Sequence, residues 1–148
     1  MTEWVGIKFV LDLDACFYLS GAGNNLKGAV FARAKQDRTA VTSEVFKKVK
    51  QLDPDLAAEM LASGIEVVDL DQKIYDIAEN ITKFLSVSIT LQKVANEKIP
   101  VMALVHGAQN GVKPPCTLVT ADYGQHSSSM PSLCEKMGMP WSPIDQVY

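Results

Sequence analysis

Two short apolar runs near opposite ends of the chain, Phe9-Val10-Leu11-Asp12-Leu13-Asp14 and Thr117-Leu118-Val119-Thr120-Ala121-Asp122, each stop at an aspartate. Short aliphatic and β-branched runs bounded by polar residues read as buried strands. Between them strand and helix patterns alternate. That alternation implies parallel pairing through right-handed crossovers, because a tight turn cannot join parallel neighbours. The predicted fold class is therefore α/β: three-layer α/β/α with a central parallel sheet, Rossmann-like in its layering. In an open sheet of this kind the carboxyl ends of neighbouring strands share one edge, where ligand sites form. Asp12 and Asp122 are the first candidates for such a site.

Local signals place the other elements. Residues 7–11 read as a strand, 14–19 as the start of a helix, Gly21-Ala22-Gly23-Asn24-Asn25 as a loop, and 26–34 as a weak helical stripe. Thr42 or Ser43 is expected to cap the next helix, with Val45, Phe46 and Val49 inward and Glu44 near the positive end of the helix dipole. Asp53-Pro54 is a helix start with proline at the first helical position, and Ser63-Gly64 is its stop. Residues 65–70 read as a second strand, and the spacing of Ile74, Ile77, Ala78, Ile81 and Leu85 predicts a helix over 72–85. A further helix is expected over 86–95, and an apolar stretch over 101–105 ends by Gly107. Then come a surface loop over 108–115, a strand over 116–119, a helix over 130–137 stopped by Gly138, and an edge strand over 141–144.

The 148 residues fit one domain, 1–148, long enough to bury roughly two-thirds of the unfolded surface. A net charge of −3 argues against a protein that wraps nucleic acid with a broad basic face, and leaves room for a local contact. No apolar run approaches the ~20 residues that span a bilayer, so no membrane partner is expected. The start of the chain carries Glu3 and no basic flank, so a secretory signal is not expected. Cys16, Cys116 and Cys134 lack the short paired spacing of a zinc site and are odd in number. They are expected as buried free thiols in a reducing, cytoplasmic setting.

Several familiar motifs fail. Gly21, Gly23 and Gly28 do not make a dinucleotide fingerprint, because Leu26 stands where the third glycine belongs. Ala29 and Val30 follow Gly28 where a phosphate loop needs lysine and a hydroxyl residue. His106 and His126 have no ligand partner at useful spacing, and His106 is expected as a structural histidine of an apolar helix. Ser127-Ser128-Ser129 lacks a nucleophile-elbow context. Lys47, Lys48 and Lys50 read as a solvated helix face.

The order of these pieces resembles the PIN domain, the nuclease fold of VapC-type toxins, and within it a poorly characterised PIN-like subfamily. The matching segments are Phe9-Val10-Leu11-Asp12, Thr42-Ser43-Glu44-Val45, Leu118-Val119-Thr120-Ala121-Asp122, and the ending from Met130-Pro131 to Met139-Pro140. The resemblance covers almost the whole chain. It implies three or four carboxylates at the sheet edge holding Mg²⁺ or Mn²⁺, hard cations that take oxygen ligands. A metal pair of that kind activates water against a phosphodiester and stabilises the leaving oxygen. Asp12 matches the first acid, and Asp122 the acid of the Thr-x-Asp motif.

The other two acid positions depart from the family. Lys48 stands where a glutamate belongs, and Ile99-Pro100 where an aspartate opens a helix. A shift of register would let Glu44, Glu97 or Asp14 stand in. Alternatively, a lysine ammonium among Asp12 and Asp122 supplies the positive charge in place of a metal. Two functions stay open. The first is a metal-dependent ribonuclease toxin of a toxin–antitoxin pair, with Asp12, Asp122 and Glu44 catalytic and Asp12, Asp122, Asp14 and Glu97 as metal ligands. The second is a catalytically inactive binding, regulatory or RNA-binding protein, with Lys48, Lys98 and Thr120 as nucleic-acid contacts and no cofactor. RNA, an antitoxin protein and a second copy in a homodimer are the partners implied.

Overall fold

The computed structural model describes residues 6–87, 94, 96–109, 116–124 and 127–147. Five strands form one all-parallel sheet in the order β3-β2-β1-β4-β5: β1 Phe9–Leu11, β2 Thr39–Thr42, β3 Glu66–Val68, β4 Thr117–Thr120 and β5 Trp141–Pro143. β1 lies at the centre, with Val10 opposite Ala40 on one side and Leu118 on the other. Its residues are buried on both faces, as the apolar run requires of a central parallel strand.

Helices cover the sheet on both sides, so the three-layer α/β/α arrangement is the observed one. They are α1 Leu13–Ser20, α2 Asn24–Ala34, α3 Ser43–Leu52, α4 Pro54–Ala62, α5 Gln72–Leu85, α6 Lys98–Gln109, α7 Met130–Met137 and α8 Ile144–Val147. α1, α3 and α4 pack as one group, and α5, α6 and α7 as another. The core between them includes Leu11, Leu19, Met60, Ile74, Met102, Leu104, Leu118 and Leu133, all fully buried. Among the described residues no helix is long and apolar enough to cross a membrane.

Local capping explains where the helices begin. The side chains of Asp12, Thr42, Asp53, Asp71 and Ser129 each accept the backbone N–H three residues on, satisfying donors that the first turn leaves free. Asp12 does so directly at the end of β1, so strand and helix join with no intervening loop. Gly64 and Gly138 take positive φ, +90° and +63°, just past α4 and α7.

The structure differs from the sequence reading at several points: α2 begins at Asn24, inside the expected loop, and Ile144 opens α8 rather than ending the edge strand. β2 was not expected, because Thr39-Ala40-Val41-Thr42 is short and half polar. Its place between β1 and β3 buries all four residues, and Arg38 just ahead of it donates two 2.8 Å hydrogen bonds to Glu66 of β3. The apolar stretch after Pro100 is the body of α6, which runs on through Gly107. His106 is exposed on that helix rather than packed. The three cysteines are buried free thiols, as expected. His126 and most of the segments 86–95 and 108–115 lie outside the described residues.

Candidate functional site

β1 and β4 are parallel neighbours, with Leu11 opposite Val119, and the Asp12 amide donates to the Val119 carbonyl at 3.0 Å. This register sets Asp12 beside Thr120. Asp12 is almost wholly buried, at 2 % exposure. Its Oδ1 accepts the Ala15 amide at 2.8 Å, and its Oδ2 accepts the Thr120 hydroxyl at 2.5 Å. Burial pushes the Asp12 carboxyl up from 3.8 to about 7; the two hydrogen bonds oppose that rise, and the charges of Asp14 and Asp122 add to it. Near neutral pH this acid is therefore not a fully formed anion.

Asp122 has the opposite character. Its Oδ1 accepts the Gly124 amide at 3.0 Å, and its Oδ2 accepts the Met130 amide at 2.8 Å and the Lys98 ammonium at 3.2 Å. Burial alone would raise it, but the two amides and Lys98 together hold it below the usual carboxylate range. Lys98, at the start of α6, also donates to the Ser128 carbonyl at 3.1 Å. The Lys98 side chain is only 15 % exposed and that of Asp122 13 %.

Asp14 and Glu97 complete the acidic group. Asp14 lies in the first turn of α1, half-buried, and its carboxyl is raised by burial and then by Asp122, against the pull of Lys98. Glu97 also raises it, which places all four acids within one electrostatic neighbourhood. Glu97 itself is buried just ahead of α6 and accepts the ammonium of Lys48 on α3 at 3.2 Å.

The fold thus gathers Asp12, Asp14, Glu97 and Asp122 at one sheet edge, together with Lys98 and with Lys48 on Glu97. Glu44 is different: it is exposed in the first turn of α3, where it faces the helix dipole. Thr120 is fully buried, and its hydroxyl also accepts the Asp122 amide at 3.0 Å, so it serves the two aspartates rather than a surface contact. The lysine among the strand-end acids is Lys98, not Lys48. Ile99 packs against the core. The Ser128 carbonyl and the Met130 amide were not foreseen; the only hint was Ser129 ahead of Met130-Pro131, a helix start close to Asp122 in sequence.

The acids already hold a cation of the chain's own, the Lys98 ammonium. Both oxygens of Asp12 and both of Asp122 already accept hydrogen bonds, and an ammonium lies against Asp122. Among the described residues no group of three acidic, histidine or cysteine side chains is arranged to hold a metal. What the arrangement does achieve is partial neutralisation: two ammonium groups against four carboxyl groups in a partly dry setting, where such attractions are stronger than in water. No protein-family model matches the chain, and no curated protein matches it.

Proposed function

We propose that this chain is a PIN-like protein that has lost metal-dependent nuclease chemistry and acts by binding, as a regulatory or scaffold protein. One observation carries the reading: the Lys98 ammonium is held between Asp122 and the Ser128 carbonyl, where a ribonuclease of this kind would need a cation. Of the two ligand classes, a protein partner is favoured over RNA. The two lysines nearest the site are committed to Asp122 and Glu97, which weakens any pull on phosphate.

The test is a calorimetric titration of Mn²⁺ into the wild type and Asp12→Asn. The expected result is no micromolar binding to either protein. Micromolar binding that disappears in Asp12→Asn would overturn the proposal and restore the ribonuclease reading, with Asp12 and Asp122 as ligands. RNA affinity retained in chelator and falling with salt would keep the binding role and change its ligand.

A further inference from the structure

α8 is a single turn of four residues, Ile144–Val147, too short to hold its own shape in water. Its place is set by what it touches. Ile144 is fully buried, and Val147 packs against the core. Two tethers then fix the turn. The Asp145 carboxylate accepts the Tyr123 hydroxyl at 3.3 Å, and the Val147 carbonyl accepts the Arg33 guanidinium of α2 at 2.9 Å. Arg33 is itself aimed by Asp37, 3.1 Å from its Nε, and by the Phe9 ring of β1, whose centre is 4.9 Å from the guanidinium carbon. Tyr123 follows Asp122 directly and stands in a tight turn. On either side of it the Asp122 amide donates to Thr120 Oγ1 and the Gly124 amide to Asp122 Oδ1, both at 3.0 Å. α8 therefore reaches from α2 to the turn that carries a strand-end acid.

We propose that α8 is a releasable strap whose seating on Arg33 keeps the Asp122 turn in order. Both tethers lie where solvent or another molecule can compete for them, with Tyr123 52 % exposed and the Arg33 side chain 42 %. A segment held by so few contacts opens at a lower free-energy cost than the whole domain. Seated, α8 holds the Tyr123 ring through Asp145 and limits the motion of the backbone on either side of it. Released, it frees Tyr123, and the two amide bonds flanking that residue open more often. A ligand that prefers the unseated strap thereby loosens the Asp122 carboxylate, and by reciprocity a ligand that orders this carboxylate seats the strap. The coupling requires no particular ligand, so this inference stands apart from the proposed function.

Residue-resolved amide exchange and heteronuclear relaxation, both by NMR on the full chain, test it. Arg33→Met should raise mobility over 145–147 and speed exchange of the Asp122 and Gly124 amides roughly tenfold, the scale of one charged hydrogen bond lost. The Val49 and Leu104 amides, inside α3 and α6, should keep their rates. Tyr123→Phe cuts the other tether alone and should by itself raise mobility over 145–147. In that background Arg33→Met should loosen α8 further without speeding the Asp122 and Gly124 amides again. Turn amides that keep their rates in Arg33→Met while α8 loosens overturn the coupling. An α8 still rigid in both single variants overturns the strap. Faster exchange shared by Val49 and Leu104 also overturns the inference, because the whole domain would then be opening.

Discussion

The Thr120 hydroxyl donates to Asp12 across the β1–β4 pair at 2.5 Å and accepts the Asp122 amide at 3.0 Å. One buried side chain at the end of β4 therefore links the two strand-end aspartates. Thr120→Val keeps the shape and removes the hydroxyl, leaving a buried carboxyl oxygen and a backbone amide without that partner. The expected cost is about 2–3 kcal/mol in urea unfolding. Thr120→Ser, which keeps the hydroxyl and loses one methyl, should cost less, about 1 kcal/mol. Equal losses in the two variants would show that the hydroxyl contributes little.

Asp12 makes stability depend on pH in a particular direction. Its carboxyl rises from 3.8 to about 7 on folding. Between those values the folded protein keeps a proton that the unfolded chain has released, so this group's contribution falls as pH rises and is fully lost above the upper value. The effect amounts to at most about 4 kcal/mol. Asp12→Asn does not titrate and should gain steadily on the wild type between acidic and mildly alkaline pH, measured by urea unfolding at each pH. Parallel profiles for the two proteins would remove Asp12 as the source.

Asp122 acts in the opposite direction, because its carboxyl is depressed in the fold. Its stabilisation is present above the ordinary aspartate value of 3.8 and lost as pH falls through the lower folded value. An Asp122→Asn variant should therefore lie below the wild type at neutral pH and converge with it in strong acid. Failure of the two curves to converge would mean that Asp122 acts through hydrogen bonding alone.

Lys98→Met tests whether the ammonium stands in for a cation. Removing one partner of a largely buried pair leaves Asp122 and Asp14 without it, at an expected cost of about 3 kcal/mol. Millimolar Ca²⁺ should then restore part of the melting temperature in the variant and leave the wild type unchanged. A variant as stable as the wild type, or indifferent to Ca²⁺, would argue that the lysine is incidental.

Gly28→Ala should stabilise the isolated chain by about 0.5–1 kcal/mol, since the helix gains a better former and the added methyl meets nothing. Thermal melts of the wild type and the variant read this.

Local chemistry made much of the architecture legible. Asp53 followed by Pro54, Asp71 ahead of an apolar stripe, and Gly138 past Met137 mark helix ends through hydrogen bonds and backbone preferences that involve only a few neighbouring residues. Asp12 and Asp122 were recognisable as strand-end acids for the same reason. β2 was not, because Thr39-Ala40-Val41-Thr42 becomes a strand by fitting between β1 and β3, and neither neighbour is near it in sequence.

The charges of the site divide in the same way. The sequence by itself determined which acids and lysines the chain carries and that two of the acids end strands. Only the tertiary structure decided that Lys98 meets Asp122, that Lys48 turns to Glu97, and that Asp12 is sealed beneath Thr120. Those pairings follow from the strand order and from the seating of α3 and α6 on the sheet. Coulomb attraction and desolvation depend on separation and burial in space, which spacing along the chain does not contain.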